Sequence, residues 1–240
     1  MLSGSSSIME SIQRPKKDHD WKWLRRKRRP GLRSLPQQTV RMIDLFSGCG
    51  GISTGVQAAC LDLNIHLQPV IAWDIFTAAT EVYAKNFTGV EIRSEPIETV
   101  IDGERGQPPT ESERKFMESV GEINLIVGGP PCQGNSNLNN HTRGTDERNL
   151  LYLRMARMIE ILKPEYAIIE NVAGVRRAQQ NVVSETKNWL ETVGYSTVEG
   201  LIDGRNVGVP QMRKRHFSIA SRVSTLNLSS FQHREGIEER

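Results

Sequence analysis

The 240-residue sequence predicts an α/β fold with a doubly wound, mostly parallel sheet. From Val40 onward, short apolar runs alternate with segments whose apolar residues recur at helical spacing. A glycine-rich turn over 48–51 joins the first run to the helical segment that follows it. Another run, 124–127, is followed directly by Gly-Gly-Pro-Pro. In open α/β sheets, ligands bind where such strands end.

The elements follow from this pattern in chain order. The predicted strands are 40–45, 70–73, 124–127, 166–170, 197–202 and 216–220. The predicted helices are 51–59, 76–86, 111–119, 147–162 and 181–192. Apart from its one helix, the stretch 88–122 is polar and contains prolines, and no strand is predicted in it.

Composition and charge divide the chain into three parts. They are a flexible arm over 1–39, one α/β domain over 40–222 and a polar tail over 223–240. The net charge is +3, yet residues 14–33 alone hold ten Lys or Arg against two Asp. This basic stretch also contains Trp21 and Trp23, with one short helical turn predicted around 21–29. A basic arm with interleaved aromatics suits a nucleic-acid backbone. A solubilising tail is the alternative.

The number and spacing of the cysteines indicate the redox compartment and whether a metal site is expected. Cys49, Cys60 and Cys132 show neither paired nor metal-type spacing, so we expect free thiols, a reducing compartment and no metal. There is no run of 18 apolar residues and no signal-like start. We therefore expect a soluble, cytoplasmic or nucleoid-associated protein without a membrane partner.

Cys132 is the leading candidate for a reactive residue. It follows two prolines, which force a stiff, extended turn and so deliver the cysteine to the carboxyl end of a strand. That position favours a nucleophile. The alternative is a small core residue, which is common for a free cysteine.

Two neighbouring strand ends suit a nucleotide-like ligand. The turn Asp44–Gly51 lets the backbone pass close to a ligand. It lacks the third glycine of the dinucleotide pattern, where Ser53 stands, and the Lys-Ser/Thr ending of a P-loop. A ligand without a pyrophosphate fits best, with a plain tight turn as the alternative. Asp74 could accept hydrogen bonds from ribose hydroxyls or cap the next helix, and Ile75 could pack on an adenine.

Three more polar residues are predicted near the same edge of the sheet. Glu170 closes a buried strand, where its carboxylate could hold a proton for an acid role or cap the next helix. Arg213 and Arg215 precede the last strand and share a face if that segment is extended. Two arginines on one face suit a phosphate or a base carbonyl, although basic residues there can simply be solvated.

Together these segments resemble the cytosine-5 DNA methyltransferases over roughly residues 41–221. Four motifs occur in the family's order: the glycine motif Asp44–Gly51, the Pro-Cys motif Gly129–Gly134, the Glu-Asn-Val motif Glu170–Val172, and Gln-x-Arg-x-Arg at Gln211, Arg213 and Arg215. Arg148–Leu151 fits the start of the family's next helix. The resemblance implies the Rossmann-like fold of methyltransferases that use S-adenosylmethionine.

The resemblance also implies a mechanism, in which a methyl group passes from S-adenosyl-L-methionine to C5 of a flipped-out cytosine while Cys132 is covalently attached to C6. Glu170 would engage N3 and the exocyclic amine, and Arg215, with Arg213 nearby, the base O2 or its phosphate surroundings. The implied donor-site residues are Phe46, Ser47, Gly48, Gly50, Gly51, Asp74, Ile75, Glu95, Pro130 and Leu151. Among these, Glu95 matches an acid near the adenine amine.

Two departures from the family bear on activity. Asn135 replaces an aromatic residue usual two places after the glutamine of the Pro-Cys motif, and nothing in 223–240 resembles the target-recognition region or the last two motifs. We therefore expect an incomplete catalytic domain that acts on double-stranded DNA and needs a second polypeptide, or a truncated piece of such an enzyme. A non-catalytic DNA-binding scaffold and a transfer-RNA cytosine-5 methyltransferase are the alternatives. Restriction-modification, phage protection and gene regulation all stay open as roles.

Overall fold

The computed structural model describes residues 31–32, 34–36, 38–131, 147–174, 180–207, 209 and 211–226. Within these ranges lie seven strands: β1 Thr39–Leu45, β2 His66–Trp73, β3 Glu91–Arg93, β4 Leu125–Gly128, β5 Tyr166–Val172, β6 Ser196–Asp203 and β7 Lys214–Ser221. The α-helices of the same ranges are α1 Gly51–Asp62, α2 Thr77–Asn86, α3 Glu111–Val120, α4 Glu147–Leu162 and α5 Gln180–Thr192. Short 3-10 turns occupy Ile97–Thr99 and Gly204–Val207.

The strands form one sheet in the order β3-β2-β1-β4-β5-β7-β6. The first five of these neighbours run parallel, and β7 is antiparallel to both β5 and β6. The chain leaves β1 for β2 on one side and returns to β4 on the other side of β1, so the winding reverses between β1 and β4. A crevice for ligands is expected at the carboxyl ends of two such strands. The predicted doubly wound, mostly parallel sheet is confirmed.

Helices cover both faces of the sheet, because adjacent strand residues point to opposite sides. Met42 of β1 packs in a small cluster with Cys60 of α1. Its neighbour Ile43 belongs to the larger cluster on the other face, which includes Met155 of α4 and Leu190 of α5. Cys60 is therefore a buried core residue, and burial raises the pKa of its thiol.

The structure differs from the predicted elements chiefly at β3 and at the start of β2. β3 was not predicted because it has only three residues and lies in the polar stretch 88–122. β2 begins at His66 rather than at 70, and its Pro69 lies where the register with β1 shifts between Met42 and Ile43. A proline has no N–H for a regular ladder, and a bulge accommodates it.

A buried ion pair fastens α3 to α4. Arg157 Nη2 lies 2.7 Å from Glu113 Oε2, and both side chains are almost fully buried. Glu113 also completes the capping box of α3 with Thr110 and accepts a hydrogen bond from Gly103 N. Burial acts to raise the pKa of Glu113, but the hydrogen bonds from Arg157, Thr110 and Gly103 outweigh it, and the pKa is lowered.

Several predicted features lie outside the described residues, namely the basic arm up to residue 30, the turn around 21–29 and most of the polar tail. Among the helices that the structure does describe, none is long and apolar enough to cross a membrane.

Candidate active site

A cleft of about 400 Å³ opens at the carboxyl edge of the sheet, where β1, β2 and β4 end. Five of the ten predicted donor-site residues line it: Phe46, Asp74, Ile75, Glu95 and Leu151. The other five, Ser47, Gly48, Gly50, Gly51 and Pro130, are not among the described wall residues. The cleft lies at the reversal of the winding, as the topology predicts.

The glycine turn is held in shape by Asp74. Gly48 N donates to Asp74 Oδ2 at 2.8 Å, and Phe76 N donates to Oδ1 at 2.9 Å. Helix α2 begins at Thr77 with Phe76 as its N-cap, so Asp74 is not the helix cap. Each carboxylate oxygen keeps a second lone pair for a ligand.

Gly50 is required for steric reasons. Its φ is +87°, and a Cβ built on it would lie 2.8 Å from Cδ2 of the buried Tyr83. Real Cβ atoms do not approach other atoms so closely, and a positive φ disfavours any L side chain. The turn therefore packs directly on an aromatic ring of α2.

Beneath the turn, Asp44, Ser53 and Tyr83 form a buried polar chain. Ser53 Oγ donates to Asp44 Oδ2 at 2.5 Å and lies 2.7 Å from Tyr83 Oη, while Asp44 Oδ1 has no hydrogen-bond partner among the described residues. Burial raises the pKa of Asp44 to about 7. The hydrogen bond from Ser53 acts to lower this pKa, and the negative charge of Asp74 acts to raise it further. Burial also raises the pKa of Tyr83. Asp44 thus changes protonation near neutral pH.

Trp73, Pro96, Ile97 and Glu98 line the cleft but were not predicted. Trp73 Nε1 donates to the carbonyl of Glu95 at 2.7 Å. Arg93 lies over the Trp73 ring, 5.3 Å from its centroid, and its Nη1 is 3.4 Å from Glu95 Oε1. Trp73 could have been found from the sequence, because it ends a predicted strand directly before Asp74.

A second group of polar residues lies where β4, β5 and β7 meet. Arg215 Nε is 2.7 Å from Glu170 Oε1. A Cβ built on Gly129 would lie 3.2 Å from Glu170 Oε2, so this carboxylate packs against the segment that leads to Cys132. Arg213 is exposed, ahead of the first residue of β7. Cys132 itself lies outside the described residues, as does Asn135.

The described geometry thus has two parts on one sheet edge. A mostly apolar cleft with carboxylates at its wall suits a nucleoside-like ligand. Beside it, the charged pair of Glu170 and Arg215 suits a polar, planar group that can accept and donate hydrogen bonds.

Comparison with known protein families identifies the family that has this arrangement. The C-5 cytosine-specific DNA methylase family matches residues 40–239, most of the chain. The chain belongs to the C-5 cytosine-specific DNA methylases. The resemblance carried by the four motifs is therefore confirmed.

Two curated relatives of this methylase are named as Type II methyltransferases. Type II methyltransferase M1.BsuMI of Bacillus subtilis is 43% identical over 211 residues, which cover 87% of this chain and 49% of the relative. Type II methyltransferase M.DdeI of Desulfomicrobium norvegicum is 30% identical over 184 residues, 75% of this chain and 40% of the relative. The methylase chain thus spans about half or less of the length of these relatives.

Solved structures agree on the fold. A DNA modification methyltransferase encoded within an E. coli prophage superposes with a TM-score of 0.64 at 25% identity, over 82% of this methylase chain and 51% of that one. The Dnmt2 methyltransferase of S. pombe has a TM-score of 0.61 at 22% identity, over 83% and 57% respectively. At that identity the second likeness shows the fold alone.

Proposed function

We propose that this chain is the catalytic part of a DNA (cytosine-5)-methyltransferase, which transfers a methyl group from S-adenosyl-L-methionine to C5 of cytosine. The observation that carries the proposal is the pairing of Glu170 with Arg215 against the segment that precedes Cys132, beside a nucleoside-sized cleft. The Type II relatives support DNA as the substrate.

The cleft residues fit the proposed methyl donor. Phe46, Trp73 and Ile75 give apolar surfaces on which an adenine ring can pack, and Asp74 and Glu95 give acceptors for ribose hydroxyls and for the adenine amine. When bound, the donor supplies the methyl group that C5 receives.

The residues at the second part of the site would prepare the base. Addition of the Cys132 thiolate to C6 forms a C–S bond and shifts electron density to C5, N3 and O2 of the ring. Glu170 would bind at N3 and the exocyclic amine, and Arg215 at O2, which stabilises that charge. Transfer of the methyl group to C5 would leave S-adenosyl-L-homocysteine behind. A water molecule would then accept the C5 proton, and cleavage of the C–S bond would restore the thiolate and the aromatic ring. The base must leave the helix to reach these side chains.

Double-stranded DNA is the proposed macromolecular partner, and the cytoplasm or nucleoid of a bacterial-type cell the proposed location, in line with the Type II relatives. The need for a second polypeptide belongs to the same proposal. Its support is that the relatives are about twice as long as the stretch they share with this chain. Further residues of the same polypeptide could fill this role equally, and the assay below distinguishes the two sources.

Covalent trapping tests the proposal. Duplex DNA containing 5-fluorocytosine should form a denaturation-resistant adduct with the chain and S-adenosyl-L-methionine, because fluorine cannot leave C5 as a proton does. Cys132→Ser should abolish the adduct. Cys60→Ala, a change in the core between α1 and the sheet, should leave it in place.

The arms of this experiment separate the alternatives. The reaction is run with the chain alone, with an added C-terminal partner, and with a fused C-terminal extension. Adduct on transfer RNA but not on duplex DNA would assign the RNA substrate. No adduct in any arm, with the donor still bound, would assign a scaffold and overturn the proposal.

A further inference from the structure

The segment that leads to Cys132 is attached to the sheet by two hydrogen bonds at its start. Gly129 N donates to the carbonyl of Leu45 at 3.3 Å. Pro130 and Pro131 have no N–H to donate. The Pro130 carbonyl accepts a hydrogen bond from Asn171 Nδ2 at 3.0 Å. Beyond Gly129, this bond is the one described polar contact between the Pro-Pro turn and the rest of the molecule.

Asn171 is well placed to hold that turn. It is 3% exposed, so no bulk water competes for its amide. Its Oδ1 accepts from Val172 N at 2.7 Å, which fixes the orientation of the side-chain amide and leaves Nδ2 facing the Pro130 carbonyl. The opposite orientation would place two acceptors together. The amide is therefore locked by its own strand end and bonded to the turn of β4.

Asn171 also links the two groups that the reaction needs. It follows Glu170 directly in β5, and it pairs in register with His216, the residue after Arg215. Pro130 is two residues before Cys132. A single buried bond therefore joins the strand end that presents Glu170 to the turn that presents the nucleophile.

We propose that Asn171 is a positioning residue, whose amide fixes the Pro130–Pro131 turn and so sets Cys132 relative to Glu170. The inference rests on the proposed function for its catalytic meaning. It requires no contact between Asn171 and either substrate. It also predicts that Asn171 does not contribute to donor binding, since it is not among the described residues of the cleft wall.

Asn171→Asp gives the sharpest test. The aspartate has the same size and still accepts from Val172 N. Its ionised form has no donor for the Pro130 carbonyl, whereas its protonated form has one. We expect the rate of 5-fluorocytosine adduct formation to fall at least tenfold at pH 8 and to recover as the pH is lowered, with donor affinity within twofold of wild type. For Asn171→Ala, the rate of adduct formation should be reduced at every pH, because alanine has no donor in any protonation state.

The contribution of other titrating groups to the pH dependence cancels when the rates of variant and wild type are compared at each pH. The groups near Asn171 are Glu170 and Arg215, and His216, whose Nε2 is 3.5 Å from Glu199. These groups and the Cys132 thiol are present in both proteins, so the ratio of the two rates reports chiefly the substituted side chain. A ratio that stays at one across the pH range would overturn the inference. So would a loss of rate matched by a loss of donor binding and thermal stability.

A second readout keeps this inference separate from the proposed function. The alkylation rate of Cys132 by iodoacetamide, followed by peptide mass spectrometry, needs no DNA and no donor. We expect the Asn171→Asp rate at pH 8 to differ at least threefold from wild type and to return toward it on acidification. If the wild type forms no adduct, the proposed function fails. If the alkylation ratio is flat at one, the positioning role fails.

Discussion

The Arg215 Nε lies 2.7 Å from Oε1 of Glu170, across the antiparallel pair of β7 and β5. The two side chains are 24% and 21% exposed, so solvent screens the pair only in part. The contact fixes where the Glu170 carboxylate points, toward Gly129 and the turn beyond it.

Loss of Arg215 should therefore cost more than loss of Arg213. We expect Arg215→Ala to lower the single-turnover rate of methyl transfer by about 10²-fold, the size typical for removal of one group that stabilises developing charge. Arg213→Ala, at an exposed position ahead of β7, should lower it by less. Rapid-quench assays on a short duplex measure both. An equal or larger effect of Arg213 would contradict the assignment.

Gly50→Ala should destabilise the protein. The new Cβ would lie 2.8 Å from the Tyr83 ring at a φ of +87°, so both sterics and backbone strain oppose it, at a cost of about 2 kcal/mol. Gly55→Ala is the matched control. It lies in α1 with nothing within 4 Å of its built Cβ, and it should stabilise the protein by about 0.5–1 kcal/mol. Urea unfolding of both variants gives the comparison.

Asp44 should make the stability of the fold depend on pH. Its pKa is about 7 in the folded protein, against an ordinary value of 3.8 for an aspartate, so the unfolded chain ionises at a lower pH. A raised folded-state pKa gives stability that is present below about pH 4 and is lost as the pH rises toward 7, by up to about 4 kcal/mol.

Asp44→Asn should remove this loss. The variant and the wild type should have similar free energies of unfolding at pH 4, and the variant should be the more stable at pH 8. Denaturant unfolding across that range measures the difference. Parallel profiles for Asp44→Asn and wild type would show that Asp44 does not titrate in this way.

The ion pair between Glu113 and Arg157 should be costly to break from one side. Glu113→Ala leaves a buried guanidinium without its main partner, although Glu160 Oε2 still lies 3.2 Å from Arg157 Nη1. We expect a loss of about 3 kcal/mol in the free energy of unfolding. Glu111→Ala breaks an exposed pair with Lys115 on the same helix, and should cost less than about 1 kcal/mol. Similar losses for the two variants would refute the contrast.

Residues that share a strand end or a turn could be predicted to lie together from the sequence. Asp74 was expected near the glycine turn because parallel strands end at one edge, and its bond to Gly48 N confirms that proximity. The strands and helices were also predicted to within a few residues, apart from β3. The local sequence pattern was enough to predict these elements, because the spacing of apolar residues and the glycines or prolines that end an element are local signals.

Contacts between distant segments could not be predicted in this way. The chain of Asp44, Ser53 and Tyr83 depends on how α1 and α2 pack over β1, and no local pattern encodes that. The bond from Asn171 to the Pro130 carbonyl likewise needs β4 and β5 to be neighbours in register. Such polar contacts are specified by tertiary packing.

The strand order has a consequence for how the protein folds as it leaves the ribosome. β7 lies between β5 and β6, and within the described sheet β6 pairs with β7 alone. Translation therefore delivers β6 before the strand that connects it to the sheet. Until residues 214–221 emerge, the nascent chain exposes the open edge of β5 together with an unpaired β6, which are surfaces prone to misassembly. A pause in synthesis just ahead of Lys214 would prolong that state, and the described sheet closes only when β7 inserts between β5 and β6.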